Sequence, residues 1–332
     1  MTPDAATIAA VIERYARFAR EEAPGRSELY AEWSAGIAGD PDAAAVLARI
    51  PETRRQPPLV FAVARMLGST DVPYPQWRAW LLGHADELVA EASVRSLQTN
   101  EPGRCAALLP GLSRFSGPLA LLELGASAGL CLYPDRYSYR YRGGPSLDPP
   151  GGTSTVVLEA DLVGSPRCEL PDVVWRAGID LAPLDAADPG DRDFLTALVW
   201  PGETGRAERI AAALDIVAAD PPLLITGDAS DPQVLRDAVA LAPADATLVV
   251  TAPGVLPHIP REGRERLRAT LDALGVSWMS IDPPWMHDAW HPPVVAGARS
   301  DFVLSMNGVP VAAVDPLGGF VEWRANEGRV RG

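Results

Sequence analysis

Lysine is absent from this sequence. All 29 basic side chains of the 332-residue chain are arginines. The absence excludes enzymes that form a Schiff base on a lysine. It also excludes a P-loop of the Walker type and the phosphate-binding lysine of protein kinases. Any nucleotide chemistry in this chain therefore has to use other groups.

Cysteine is scarce, and long apolar runs are missing. Cys105, Cys131 and Cys168 are far apart, which fits neither a disulfide framework nor a CxxC zinc site. No run of about 18 apolar residues occurs. The N-terminal segment carries Asp4, Glu13 and several arginines instead of the apolar stretch of a signal peptide. The sequence predicts a cytoplasmic protein with reduced thiols and no membrane partner.

Positive charge is also in deficit. The formal net charge is −14, with 43 acidic side chains against 29 basic ones. An acidic surface repels phosphate backbones, so no nucleic-acid partner is expected. The 47% of hydrophobic residues is enough for a globular core. Composition therefore favours a globular protein that acts on a small molecule, and it leaves the oligomeric state open.

The hydrophobic pattern divides the chain into two parts. Residues 1–117 carry apolar positions at helical spacing, which predicts an all-helical N-terminal cap. Residues 118–332 alternate short apolar runs with helical stretches, which is typical of a parallel α/β sheet. We expect an α/β fold with a seven-stranded Rossmann-like sheet. The predicted strands are 119–124, 173–179, 223–226, 246–251 and 276–281, followed by an antiparallel meander of 301–306, 309–314 and 320–323 at the sheet edge.

An insertion at about 133–172 separates the first two predicted strands. Tyr137, Tyr139 and Tyr141 alternate with polar residues there, as the side chains of a strand do. We therefore predict a β-hairpin that lies over the nucleotide-binding face.

The strongest local pattern follows the first predicted strand. The strand ends at Glu123-Leu124 and leads into Gly125, Ser127 and Gly129, with a helix expected next. The glycines permit a tight turn and a close approach of ligand or helix. The N-terminus of the expected helix would offer amide groups to an anion, whereas Glu123 suits the positive end of a ligand. The alternative is a turn whose glycines serve packing alone.

Two aspartates stand at the ends of the next two predicted strands. Asp180 lies where an acidic residue binds ribose hydroxyls in nucleotide-binding α/β folds. It is farther from the glycine-rich turn than usual, and the insertion accounts for the excess. Asp228 lies where an adenine amino group could be bound. Each aspartate alone is often a loop or cap residue, but their order along the chain favours a nucleotide site.

This order of motifs resembles the class I S-adenosylmethionine-dependent methyltransferases over about residues 118–325. The chain resembles still more closely a bacterial family designated domain of unknown function 2332. The segments that carry this second resemblance are Ser96–Cys105, Leu122–Leu130, Asp135–Tyr137, Trp175–Leu181 and Leu198–Pro201. The resemblance implies the fold more strongly than the reaction.

The methyltransferase resemblance implies S-adenosylmethionine as the cofactor. The implied contacts are Glu123 and Gly125 with the methionine end, Gly129 beneath the cofactor, Asp180 with the ribose, and Asp228 and Ala229 with the adenine. Two positions depart from the family pattern. Ser127 replaces a glycine, so either its hydroxyl bonds the cofactor or the pocket is tighter. Thr251 is also assigned as a cofactor contact. It begins the segment Thr251-Ala-Pro-Gly254, which stands where the family pattern has an aromatic or polar run.

Candidates for catalysis come from two segments. His258 follows the fourth predicted strand and is the best-placed general base, the alternative being a surface histidine. The segment 98–104 supplies Glu101 and Arg104 as catalytic candidates and Asn100 as a substrate contact. Its alternative role is a polar network that ties the helical cap to the sheet.

The loop after the fifth predicted strand supplies further substrate contacts. Trp285 and His287 are assigned this role. The motif Asp282-Pro-Pro-Trp285 resembles the Asp-Pro-Pro-aromatic loop of amino-group methyltransferases, but it follows a different strand, which favours an ordinary proline-rich loop. His287 and His291 have helical i,i+4 spacing without an obvious third ligand, so no metal is expected.

These observations predict a methyltransferase that uses S-adenosylmethionine to modify a small molecule. Methyl transfer needs alignment of the reactants and exclusion of water more than it needs a base. The alternatives are a non-catalytic protein that binds S-adenosylmethionine or S-adenosylhomocysteine, and an enzyme that uses the same fold for a reaction other than methyl transfer.

Overall fold

A computed structural model describes residues 3–98, 101–287 and 302–324. The described residues form a mixed α/β protein with eleven α-helices and one sheet, which confirms the α/β class. None of the described helices combines the length and the apolarity needed to span a membrane. The helices are α1 (Ala5–Glu21), α2 (Glu28–Ala38), α3 (Pro41–Leu47), α4 (Pro57–Met66), α5 (Tyr74–Gly83), α6 (Ala85–Val94), α7 (Arg104–Leu112), α8 (Pro189–Ala197), α9 (Arg206–Ala219), α10 (Pro232–Val239) and α11 (Arg261–Leu274).

The chain forms two compact units. The first consists of Met1–Thr99 and Asp188–Ala211, and the second of Asn100–Ala187 and Ala212–Gly332. Helix α7 therefore belongs to the second unit, although it precedes the predicted boundary at residue 118. Helix α8 and the start of α9 belong to the first unit.

The first unit is built around buried aromatic side chains. Trp33 and Trp77 stack with ring centroids 4.9 Å apart, and Phe61 meets both rings edge-on. Helix α4 carries Phe61 and is buried from Leu59 to Ala64. A helix that is apolar on all sides lies inside a core, which is how this sequence places α4 at the centre of the unit.

Asp40 caps helix α3 and forms an ion pair with Arg78. One of its carboxylate oxygens accepts hydrogen bonds from the backbone amides of Asp42 (3.0 Å) and Ala43 (3.1 Å). The other accepts from the hydroxyl of Tyr74 (3.1 Å) and from Nε of Arg78. The hydrogen bond from Arg78 is the largest influence that lowers the pKa of Asp40 below its usual value.

We expect Asp40→Ala to destabilise the protein by about 1–2 kcal/mol at neutral pH, the usual cost of losing a helix N-cap. Because the folded state lowers the pKa of Asp40, its contribution is complete above the unfolded pKa near 4 and is lost as the pH falls through the folded value. Urea titrations at pH 7 and pH 3 should therefore show a difference between wild type and variant that narrows in acid. Asp42→Ala, which removes an exposed partner of Arg78, is the control and should cost less. A pH-independent difference would contradict the assignment.

The second unit is built on one mixed sheet of eleven strands within the described residues. The strand order is β3-β2-β4-β11-β10-β9-β8-β7-β1-β5-β6. The strands are β1 (Pro118–Leu124), β2 (Ser138–Arg142), β3 (Ser146–Leu147), β4 (Val157–Val163), β5 (Asp172–Asp180), β6 (Leu223–Thr226), β7 (Thr247–Pro253), β8 (Ser277–Asp282), β9 (Phe302–Met306), β10 (Val309–Val314) and β11 (Phe320–Trp323).

Five of these strands form the parallel part of the sheet that the sequence predicts. Strand β1 pairs in parallel with β5 on one side and with β7 on the other, and β6 and β8 continue the sheet outward. The chain moves from β1 towards β6 and then returns to the other side of β1 for β7 and β8. This reversal creates a topological switch point between β1 and β7, and open α/β sheets bind ligands at the carboxyl ends of the strands there.

The insertion departs from the predicted structure. Strands β2 and β3 do pair antiparallel, but β4 pairs in parallel with both β2 and β11. The insertion therefore extends the sheet and does not form the predicted hairpin over a nucleotide-binding face. The predicted sheet of seven strands has fewer strands than the eleven described ones. The β9–β11 meander does not end the sheet as predicted, because β4 pairs with β11 beyond it. Tyr137, Tyr139 and Tyr141 are buried, and their hydroxyls donate to backbone carbonyls.

Candidate functional site

The glycine-rich turn after β1 lies at the switch point and is joined to the end of β5. Gly125, Ser127 and Gly129 have φ values of 70°, 52° and 78°, a region that glycine adopts easily and serine rarely. The amide of Gly125 donates to the carbonyl of Ile179 (2.8 Å), and the amide of Ser127 to Oδ2 of Asp180 (2.8 Å). These two hydrogen bonds hold the turn against the end of β5.

No α-helix follows this turn, which corrects the sequence prediction. A 3-10 helix at Leu130–Leu132 takes its place, and the chain then leads to β2. The left-handed backbone of Gly129 and Pro134 close behind restrict the chain on both sides. The expected anion site at a helix N-terminus is therefore missing from the described structure of this turn.

Glu123 is a buried acidic residue at this edge. It lies one residue before the end of β1 and is 4% exposed. Its Oε2 is buried without a hydrogen-bond partner among the described residues. Burial raises the pKa of Glu123 well above its usual value and the nearby Cys131 adds to this, while the charge of Arg104 opposes the shift. An orphaned buried carboxyl oxygen is costly, and a ligand that donates a hydrogen bond or brings positive charge would satisfy it.

Asp180 and Asp228 lie side by side at the ends of β5 and β6. The amide of Gly227 donates to the carbonyl of Asp180 (2.9 Å). Asp180 also accepts the amide of Ala182 at Oδ1 (2.9 Å), so both of its carboxylate oxygens already bind backbone amides. Asp228 is exposed and accepts the amide of Ser230 at Oδ1 (2.8 Å). Both aspartates therefore shape their loops, and each keeps further acceptor capacity for a ligand.

Arg104 spans this edge from the start of α7. It is 8% exposed, and its Nε donates to the carbonyl of Pro316 (2.9 Å) while Nη1 donates to the carbonyl of Pro253 (2.5 Å). A Cβ on Gly254 would lie 3.0 Å from both terminal nitrogens of Arg104. Within the described parts of the chain, no carboxylate lies within 4.0 Å of this guanidinium. Arg104 is therefore a buried cation whose hydrogen bonds go to carbonyl groups.

Glu101 is fully buried beside Arg104. Its Oε1 accepts the amide of Gly103 (2.8 Å) and its carbonyl accepts Sγ of Cys131 (3.3 Å). Cys131 follows the glycine-rich turn, so Glu101 and Arg104 join the end of β1 to the end of β7. Asn100, the third residue predicted from this segment, lies outside the described residues.

Asp282, at the end of β8, is an acidic residue that the sequence reasoning did not select. It is 0% exposed, and neither carboxyl oxygen has a hydrogen-bond partner in the described structure. Burial raises the pKa of Asp282 to about 7, against the opposing influence of Ser280 and of Arg104. The available signal was an acidic residue at the end of an apolar strand. The Pro-Pro-Trp that follows is typical of an ordinary loop and hides this signal in the sequence.

The other predicted residues are distributed unevenly along this edge. Thr251 is 2% exposed and lies directly opposite Glu123 in the β1–β7 pairing, and Ala229 is buried next to Asp228. His258 is exposed in the 3-10 helix Leu256–His258. Trp285 is 67% exposed and His287 is half-buried, just after β8. Across the described ranges, no group of three or more metal-ligating side chains is placed to hold a metal ion.

A cavity of about 1220 Å³ opens at the opposite edge of the sheet, where β5 begins. Asp172 and Val173 of β5 line it together with Tyr133 and Asp135, and no predicted site residue lies on its wall. Asp135 is held by Arg176 at 2.7 Å. The switch point and the orphaned carboxyl groups both lie at the carboxyl edge, so we place the candidate site there.

Comparison with known proteins supports the closer of the two resemblances. The model of one protein family matches residues 12–323 of the chain, and that family is described as "Uncharacterized protein conserved in bacteria (DUF2332)". The chain belongs to this family. No curated protein and no solved structure matches it. The family gives no reaction, so a functional assignment for this member has to come from the chemistry of its site.

Proposed function

We propose that the carboxyl edge of β5, β1 and β7 binds S-adenosylmethionine and that the protein is a cytoplasmic methyltransferase acting on a small molecule. The observation that carries the proposal is Glu123, a buried carboxyl with an orphaned oxygen at the end of the central strand, beside the switch point. S-Adenosylmethionine has an ammonium group and a sulfonium centre, and either positive charge would stabilise the ionised form of this acid.

The surrounding residues fit the rest of the cofactor. The hydroxyl of Ser127 is buried without a partner in the described structure, so it can donate to the cofactor's carboxylate. Asp180 keeps lone pairs for ribose hydroxyls beyond the two amides that it accepts. Asp228 and Ala229 follow β6, next to Asp180, and would face the adenine. When bound, the cofactor supplies an electrophilic methyl group.

The protein's own contribution would be alignment and exclusion of water. Glu123, Ser127 and Thr251 are buried, so a ligand held by them would react away from bulk water. Water exclusion strengthens the electrostatic interactions inside a site. Methyl transfer to a nucleophile that is already deprotonated needs no further group, which is consistent with the exposed position of His258.

Binding can be tested by thermal unfolding with S-adenosylmethionine, S-adenosylhomocysteine and NAD. A ligand at about 100 times its Kd stabilises the native state by about 2.7 kcal/mol, so the first two should raise Tm and NAD should not. Glu123→Gln should weaken binding of S-adenosylmethionine roughly ten- to a hundredfold, since bonds to charged groups contribute about 1.5–3 kcal/mol. Glu159→Gln, an exposed change on β4, should leave binding unchanged.

A Tm shift with NAD alone would refute the proposal. If S-adenosylmethionine binds but no acceptor drawn from a panel of small amines, alcohols and thiols yields S-adenosylhomocysteine, the result would favour the non-catalytic binding protein.

A further inference from the structure

A buried arginine at the carboxyl edge of the second unit is held by neutral groups. Arg104 donates from Nε to the carbonyl of Pro316 (2.9 Å) and from Nη1 to the carbonyl of Pro253 (2.5 Å). None of the described carboxylates forms an ion pair with this guanidinium, and Nη2 donates to none of the described groups. A buried cation is costly unless an anion is paired with it. The two carbonyls fix the orientation of the guanidinium but leave its charge uncompensated.

Two similarly buried arginines show how such a charge is usually compensated in this chain. Arg206 pairs with Glu203 at 2.5 Å. Arg176 pairs with Asp135 at 2.7 Å and also donates to a backbone carbonyl. In both cases an acid of the same unit neutralises the guanidinium. Arg104 differs from them in exactly this respect, which points to an anion supplied by a ligand.

Helix α7 carries Arg104 on the face of the sheet to which Glu123 belongs. Residues paired side by side in parallel strands point to the same face, and the register pairs Glu123 with Thr251 and Thr251 with Met279. A Cβ on Gly111 of α7 would lie 2.3 Å from Cε of Met279, so α7 covers this face. Arg104 is the first residue of α7 and therefore approaches the carboxyl edge from the side of Glu123.

Two contacts join the guanidinium to the glycine-rich turn. A Cβ on Gly254 would lie 3.0 Å from both terminal nitrogens of Arg104, so the guanidinium lies against this glycine. The next residue, Val255, packs on the turn, because a Cβ on Gly125 would lie 2.5 Å from its Cγ2. The charge of Arg104 also acts on Glu123. The guanidinium is therefore part of the site that contains Glu123 and the turn.

The surroundings favour an anion with a single negative charge. Glu123 lies in the same site and Asp180 acts on it, so a multiply charged phosphate would be repelled. The amides of Arg104 and Cys105, at the start of α7, already donate to backbone carbonyls and cannot help to bind a phosphate. A carboxylate carries one charge, and its planar shape matches that of a guanidinium.

The position of Arg104 separates this anion from the charged contacts proposed for the cofactor. Those contacts lie at the ends of β1, β5 and β6, whereas Pro253 ends β7 and Pro316 lies in the turn between β10 and β11, on the other side of β1. We propose that the methyl acceptor is a small carboxylate and that Arg104 binds its carboxylate group. The inference rests on the proposed function, because only a methyltransferase has a methyl acceptor.

Matched pairs of small ligands test this preference in the wild-type protein. Acetate and propionate, and the neutral acetamide and propionamide, are titrated into the full-length protein with and without saturating S-adenosylhomocysteine. Saturation-transfer NMR measures the bound ligand. Hydrogen bonds to a charged group should favour each carboxylate over its amide by roughly ten- to a hundredfold in affinity. S-Adenosylhomocysteine should leave this preference in place, since acceptor and cofactor bind together.

Variants assign the preference to one residue. Arg104→Gln removes the charge and should abolish the preference for carboxylates. The control Arg142→Gln changes an exposed arginine that is paired with Asp161 and should keep the preference. The ratio of two affinities in one protein does not respond to a loss of stability alone, and circular dichroism verifies the fold. If Arg104→Gln does not fold, a crystal structure of the wild type with S-adenosylhomocysteine and propionate locates the carboxylate instead.

Three results would overturn the inference and leave the proposed function standing. They are equal affinities for carboxylate and amide, a preference that survives in Arg104→Gln, and propionate bound away from Arg104 in the crystal. Displacement of acetate by S-adenosylhomocysteine would also overturn it, because Arg104 would then hold the carboxylate of the cofactor. If neither S-adenosylmethionine nor S-adenosylhomocysteine binds, the proposed function fails and the acceptor assignment with it.

Discussion

Replacing Arg104 with alanine should destabilise the second unit by about 2–6 kcal/mol, chiefly because two carbonyl acceptors lose their donor. Two effects combine. The carbonyls of Pro253 and Pro316 lose their donor, and a buried acceptor left unsatisfied costs about 1–3 kcal/mol. Glu123 and Asp282 also lose the cation that acts on both.

Urea unfolding of Arg104→Ala and Arg104→Lys should separate these effects. Lysine restores the charge, but its compact ammonium cannot reproduce the planar arrangement that reaches two carbonyls at once, so it should recover only part of the loss. The matched control is Arg142→Ala, whose guanidinium is 66% exposed and paired with Asp161. Surface pairs of this kind contribute about 0–1 kcal/mol. Equal losses in Arg104→Ala and Arg142→Ala would show that Arg104 is not a structural bridge.

Gly318→Ala should cause a loss of similar size for a steric reason. A Cβ at this position would lie 1.8 Å from the carbonyl oxygen of Gly103 and 2.9 Å from the amide of Arg104. The contact is with backbone, so no side chain can turn away to relieve it. Gly318 also has a φ of 90°. We expect a loss of about 2–5 kcal/mol, because overpacking costs about 1–3 kcal/mol and left-handed backbone adds about 1–2.

Gly117→Ala is the control for the backbone part of this effect. Gly117 has a similar φ of 77°, but nothing lies within 4 Å of an added Cβ. It should therefore lose only the conformational contribution of about 1–2 kcal/mol. The measurements are the yield of folded protein and the urea midpoint. If both variants lose the same stability, the turn between β10 and β11 is not packed against the start of α7 as described.

The parallel strands could be predicted because each is a short, continuous apolar run. Ala120 to Leu122 of β1 and Val249 to Val250 of β7 are buried on both faces of the sheet, so their sequences need no alternation. The order of the motifs also predicts that Glu123, Asp180 and Asp228, at the ends of β1, β5 and β6, lie at one edge of the sheet. For these residues, local pattern and tertiary position agree.

The insertion and the burial of Asp282 could not be predicted in the same way. The alternation in Tyr137–Tyr141 indicates a strand but does not identify its partner, and β4 pairs with residues near Val321, far along the chain. Asp282 is unusual because of its burial and its missing partners, which are properties of the packed molecule. The turn after Gly129 was expected to start a helix because the usual nucleotide-binding turn does, and the local sequence favours a 3-10 turn instead.

The pairing of β4 with β11 also affects the order in which the protein assembles during synthesis. Asp161 lies opposite Phe320, so strands from the middle of the chain cannot join the sheet until the last strands have left the ribosome. The parallel strands β1, β5, β6, β7 and β8 are complete much earlier. Pairings between residues so distant in sequence form slowly. Until β11 has been synthesised, β4 therefore keeps an unpaired edge towards it, and exposed strand edges of this kind are what chaperones protect from aggregation.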